Sequence, residues 1–123
     1  MIIWLDKLSF VNDNKHKKIC CYVASIGKSA FIDWLAGIKD PVVQSRIMRR
    51  VRRMILGNYG DCRGVGESVF ELKLHFGSGY RIYFAEQNDD VVVVLLLGGD
   101  KSTQLIDIKN AKIYWRELKG EKL

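Results

Sequence analysis

The sequence predicts an α+β domain, a small antiparallel-rich sheet with two N-terminal helices and one C-terminal helix packed on one face of it. Three observations carry this. Val69 to Phe76 alternates strictly, with Phe70, Leu72, Leu74 and Phe76 on one side and Glu71, Lys73 and His75 on the other, and Tyr80 to Glu86 alternates again, the period of half-buried strands. Val91 to Leu97 is apolar on both faces and reads as a central strand. Asp40-Pro41 supplies a cap and a first-turn proline, and Gly57 a stop, for a helix of about four turns.

The elements follow in order. Ile19 to Ser25 is a first strand, preceded by a polar, linker-like stretch over residues 12–18, all within a single domain spanning 1–123. Ser29 caps a short helix that ends at Gly37 and sets Phe31, Trp34 and Leu35 on one side. In the helix from Pro41 to Leu56, Val43, Ile47, Met48, Val51, Met54 and Ile55 fall in an arc of about 140°, and Arg46, Arg49, Arg50 and Arg53 in an opposing arc of about 100°. The glycine-rich residues 58–68 read as loop. Gly77-Ser78-Gly79 is a three-residue turn that sets Phe76 opposite Tyr80, His75 opposite Arg81 and Lys73 opposite Tyr83. Gln87 to Asp90 turns the chain into the central strand. After Gly98-Gly99-Asp100-Lys101, Ser102 caps a last helix running to about Leu118. Its inward stripe is Leu105, Ile108, Ala111, Trp115 and Leu118, with Ile106 and Ile113 as a second apolar strip.

Composition bounds the function. The chain has 123 residues, room for one domain, and its 48% hydrophobic content excludes a disordered chain. A formal charge of +6 favours a polyanionic partner. The three cysteines, Cys20, Cys21 and Cys62, have no metal-ligand spacing and suit a reducing cytoplasm. The apolar runs are far below the ~20 residues that span a bilayer, so no membrane partner is expected.

Four groups able to handle phosphate, Lys73, His75, Arg81 and Tyr83, share the polar face of the predicted hairpin. Lys101 sits between strand end and helix start, where free N–H groups favour an anion and the paired glycines leave room for one. The four arginines of the second helix have no acid among them from Arg46 to Arg53. No Ser-His-Asp relay, metal cluster or nucleotide-binding P-loop is expected, and no cofactor.

Phe31-Ile-Asp-Trp-Leu35, Arg46-Ile47, Leu56-Gly-Asn-Tyr-Gly-Asp61, Val65-Gly66, Glu71-Leu-Lys-Leu-His-Phe-Gly77, Gly79-Tyr-Arg-Ile-Tyr-Phe84 and Leu96-Leu-Gly-Gly-Asp-Lys-Ser-Thr-Gln104 together resemble the phage-derived, HigB-like branch of the RelE/ParE toxin superfamily. The resemblance covers about residues 20 to 118, and residues 1–18, which have no counterpart in the family pattern, are expected as an N-terminal extension outside the family core. It implies a RelE-like fold and a cytoplasmic toxin of a type II toxin-antitoxin system, neutralised by a cognate helix-turn-helix antitoxin. It also implies metal-free cleavage of mRNA on the ribosome. By residue match, Arg81 takes the arginine position of the family's Gly-Tyr-Arg strand, Lys73 a basic position on the preceding strand, and Lys101 a basic position after the last strand. Glu71 stands where RelE has a second strand lysine, and no tyrosine sits in the first turn of the last helix. The catalytic set expected on these grounds is Lys73, His75, Arg81 and Glu71, with His75 the best acid or base because its unperturbed pKa lies near neutrality. Lys101, Tyr83, Arg46, Arg49, Arg50 and Arg53 are the expected RNA and phosphate contacts. The alternative is a ParE-like protein that poisons DNA gyrase without chemistry of its own.

Overall fold

The computed structural model describes residues 2–4, 16–87 and 92–120. Ten elements follow in chain order: β1 (Ile2–Trp4), β2 (Lys18–Tyr22), α1 (Ala30–Ala36), α2 (Pro41–Ile55), β3 (Cys62–Gly66), β4 (Val69–Lys73), β5 (Arg81–Gln87), β6 (Val92–Gly99), a 3-10 turn (Lys101–Thr103) and α3 (Gln104–Leu118). The strands form one six-stranded sheet in the order β1-β2-β6-β5-β4-β3, in which only β2 and β6 run parallel. The expected α+β class holds, and no described helix is long and apolar enough to cross a membrane. The expected turn over Gln87 to Asp90 lies largely outside the described residues.

The packing differs from the one-faced expectation. Ile19, Cys21, Leu72, Ile82, Phe84, Val93 and Leu95 meet Phe31, Ile47, Val51 and Met54 of α1 and α2. The alternate residues Cys20, Tyr22, Tyr83, Ala85, Val94 and Leu96 meet Ala111 and Trp115 of α3 on the opposite face. The physical reason is in β6, every residue of which is buried. A strand apolar on both sides needs a cover on both sides.

Three boundaries also move. The stretch 58–68, expected as loop, contains β3, which pairs with β4 through a two-residue turn at Glu67 and Ser68. Both turn residues take positive φ, 54° and 64°, as the mirror-image turns of two-residue hairpins require. Neither is glycine or asparagine, so the usual signal is missing. In the next hairpin the connection is longer than Gly77-Ser78-Gly79, because β4 ends at Lys73 and β5 starts at Arg81. The register therefore slips by two residues, pairing Lys73 with Arg81 and Glu71 with Tyr83. An even slip keeps each residue on its expected face while changing its partner. Finally, Ile2–Trp4 pairs with Cys20–Tyr22, so that part of the first eighteen residues lies in the sheet.

At the start of the last helix, the Asp100 carboxylate accepts from the Ser102 N–H at 2.9 Å and caps the 3-10 turn, displacing Ser102 from the role of cap. Gly98 and Gly99 leave no opening for a phosphate. A Cβ at Gly98 would strike the Trp34 ring and one at Gly99 the Asp107 carboxyl, so both glycines serve close packing against the helices. Gly98→Ala should therefore lower stability by about 2 kcal/mol, the usual cost of overpacking a filled core, read as a fall in the urea midpoint at constant m-value.

Candidate functional site

Two clusters of charged side chains flank the β4–β5 hairpin, and the sequence-predicted residues divide between them. The first is an open pocket of about 410 Å³ between α2 and the loops around β4. The spacing Arg46, Arg49, Arg50, Arg53 follows one helix face, and all four line the pocket. The opposite wall carries Lys73, His75 and Asp61. Five permanent cations, four guanidiniums and one ammonium, thus face a single carboxylate among the described lining residues.

Local contacts hold the walls in place. The Lys73 N–H donates to the Asp61 carbonyl at 2.8 Å, which ties β4 to the loop before β3. The His75 Nε2 and the Asp61 Oδ2 are 2.8 Å apart, a hydrogen bond on the exposed rim. The Arg46 guanidinium lies 4.0 Å from the centre of the Phe76 ring, a cation–π contact that fixes one end of the arginine row. Arg50 donates through Nη2 to the Tyr59 carbonyl at 2.8 Å, while its buried Nη1 has no hydrogen-bond partner among the described residues. Burial, and then the Arg53 charge beside it, both act against the Arg50 cation and lower its pKa. An anion in the pocket would relieve both. Gly60, at φ +72°, suits a left-handed backbone that side chains rarely adopt, and its bare Cα leaves room for the Arg50 guanidinium, which a Cβ would approach within 2.5 Å and push aside.

The second cluster is buried on the α3 side. Glu71 is only 1% exposed, Arg81 6% and Tyr83 0%. Glu71 Oε1 accepts from Arg63 Nε at 2.9 Å; Oε2 accepts from Gln104 Nε2 at 2.9 Å and from the Tyr83 hydroxyl at 3.0 Å, with Arg81 Nε at 3.6 Å. Burial works against the Glu71 charge, yet the hydrogen bonds from Arg63, Gln104 and Tyr83 outweigh it and hold the carboxyl below its ordinary range. Tyr83 moves the other way, pushed up by burial and then by the Glu71 charge. Asp107, buried beside Gly99 and accepting from the Thr103 hydroxyl at 2.5 Å, is raised, chiefly by desolvation. Arg81 turns inward as well, its Nη1 donating to the Gly79 carbonyl at 2.6 Å.

The expectation that Glu71, Arg81 and Tyr83 lie on a solvated face is thus corrected, because α3 covers that face. The structure brings together Lys73, His75, Arg46, Arg49, Arg50 and Arg53 in the pocket. Glu71, Arg81 and Tyr83 line no part of it. Lys101 is exposed and packs with Arg81 around Gly79, also away from the arginines. Sequence reasoning assigned no role to Asp61, Arg63 or Gln104. Asp61 lies within the quoted Leu56 to Asp61 motif, but only the β3–β4 pairing places it beside His75.

No established family model matches this chain. It is 46% identical over 88 residues to an uncharacterized protein of Haemophilus influenzae, a match that covers 72% of this chain and 88% of that one, and the two belong to one family. Among solved structures, a mutant of the Escherichia coli toxin RelE in the free state superposes with a TM-score of 0.54 at 12% identity, over 80% of this chain and 95% of the other. The fold is therefore RelE-like.

The buried carboxylate makes a pH signature. Glu71 has its folded pKa depressed, so its contribution is present above the unfolded value of about 4.3 and is lost as pH falls through the folded one. Glu71→Gln should cost about 3 kcal/mol at pH 7, because the Arg81 charge is left buried without its counterion. Urea unfolding from pH 7 to 3 should show a shallower acid decline in the variant than in the parent.

Proposed function

We propose that this chain is the toxin of a type II toxin-antitoxin pair and acts as a ribosome-dependent mRNA endonuclease of the HigB-like kind. The observation that carries the reading is the pocket in which the His75–Asp61 pair faces Lys73 and four arginines. A helix that sets like charges three and four residues apart gives up some tenths of a kcal/mol per pair, and a bound polyanion offsets that loss. The fold it shares with the RelE toxin supports the same reading.

The chemistry is transfer within the RNA chain. The 2′-oxygen attacks the adjacent phosphorus, the bond to the 5′-oxygen of the next nucleotide breaks, and a 2′,3′-cyclic phosphate is left. One proton leaves the 2′-hydroxyl and one reaches the departing 5′-oxygen. His75 is the group placed to carry a proton, with Asp61 orienting its ring through Nε2 and so leaving Nδ1 for the substrate. Lys73 and the arginines hold the non-bridging oxygens as charge builds on the phosphorane. Arg81 and Glu71, expected from the sequence as catalytic, act in this reading as the buried frame behind Lys73, which pairs directly with Arg81 across the strands. The partners are mRNA on the ribosome and, for neutralisation, a cognate helix-turn-helix antitoxin.

Induced expression should arrest growth and leave mRNA cut inside translated codons, mapped by sequencing 5′ ends. His75→Gln should lower the cleavage rate about 100-fold or more at unchanged melting temperature. Whole mRNA together with a DNA-damage response would favour the gyrase reading instead. The pocket also predicts a salt dependence. Arg49→Ala combined with Arg53→Ala should reduce the slope of log affinity against log salt for a single-stranded RNA by about 1.4, near 0.7 for each phosphate that is no longer neutralised.

A further inference from the structure

The first turns of α3 invert the usual pattern of burial. Asp107 is buried and Gln104 points inward to Glu71, while Leu105 is 86% and Ile106 60% exposed. The sequence expectation that Leu105 belongs to the inward stripe is thereby corrected. The buried residues of α3 are Asp107, Ala111 and Trp115, and the opposite side of the helix carries Leu105, Ile106, Lys109, Lys112, Ile113 and Arg116. Five of these six line an open groove of about 380 Å³; Ile106 stands beside it. Three are large and apolar, three are cationic and none is acidic. Arg116 is paired to Glu67, and Lys109 and Lys112 have no carboxylate partner among the described residues.

We propose that this face of α3 is a docking surface for an acidic amphipathic helix of a partner protein. The apolar groups select protein over RNA: nucleic-acid phosphates draw nothing from a bare leucine and isoleucine, whereas an amphipathic helix seats its own apolar stripe on them. The flanking cations select the sign of the partner, steering carboxylates to the rim and repelling basic segments. The surface is separate from the arginine pocket, which shares none of its residues, so a partner here leaves the pocket open unless it extends around the edge of the sheet. The inference concerns the antitoxin of the preceding reading only if that is the partner that supplies the helix. It stands on the surface itself and is tested by binding, so either can fail alone.

The probe is a 15-residue synthetic helix with leucines at i, i+3, i+7 and i+10 and glutamates elsewhere on its polar face, measured by fluorescence anisotropy against the full chain. Binding should fall at least tenfold for Leu105→Ser combined with Ile106→Ser. These exposed substitutions should leave the melting temperature nearly unchanged. It should fall similarly for a peptide with the leucines replaced by serine, and should be unaffected by Arg49→Ala with Arg53→Ala. Equal binding of the serine peptide, or no loss in the Leu105/Ile106 variant, would overturn the proposal by reducing the interaction to general attraction of acid to a basic protein. Displacement of the peptide by a short single-stranded RNA in the absence of the four arginines would assign the surface to nucleic acid. Sedimentation showing a dimer that the serine variant abolishes would assign it to a second copy of this chain.

Discussion

Burying the Glu71 carboxylate in the middle of a sheet face is the constraint from which most of the structure follows. An ion taken out of water needs its lone pairs filled, and here the donors come from three residues on three elements, Arg63 on β3, Tyr83 on β5 and Gln104 on α3, with the Arg81 guanidinium 3.6 Å away as an ion-pair partner. Because Gln104 must point at the sheet, the rotation of α3 about its axis is fixed. Asp107 then turns in beneath Gly99, and Leu105 and Ile106 turn out. A leucine in place of Gln104 would satisfy the apolar face and leave the carboxylate short of a donor.

The same constraint sorts the cations. Arg81, drawn inward by Glu71 and Gly79, is removed from the surface, while its cross-strand partner Lys73 stays at the mouth of the arginine pocket. Neutralised charge is thus concentrated on the α3 side of the hairpin, and uncompensated charge between α2 and the loops at Gly60 and His75. The low-dielectric neighbourhood of Arg50, whose Nη1 has no hydrogen-bond partner among the described residues, is where an incoming phosphate gains most. The chain presents one face suited to a polyanion and, on α3, another suited to a protein helix.

Much of this is legible in the sequence, and the failures have physical causes. The helices α1 and α2, the alternation of β4 and β5, the two-sided β6 and the arginine row are all readable, because each rests on local periodicity and caps. β3 is not, since Glu67 and Ser68 adopt positive φ without the residues that announce it. The register slips by two because the Leu74 N–H donates to the Tyr80 carbonyl and closes a five-residue loop over residues 75–79, in which Gly77 and Gly79 take positive φ and Phe76 is held under Arg46 of α2, in place of the expected three-residue turn. The burial of Glu71 is hidden for a related reason: a carboxylate in an alternating strand reads as outward unless the donors that fill it, from strands and helix far apart in sequence, are known. Leu105 is misplaced by the same omission. Periodicity alone puts it inward, and a hydrogen bond from its neighbour Gln104 puts it outward.

The proposed function places RNA in the α2 pocket and not on the α3 side of the sheet. Hydrogen-exchange protection by a short 2′-deoxy-substituted RNA, which binds but is not cleaved, tests it directly. Slowed exchange is expected over residues 46–53, 58–61 and 73–76, with residues 104–116 unchanged. Protection confined to 104–116, with the arginine helix unaffected, would contradict it.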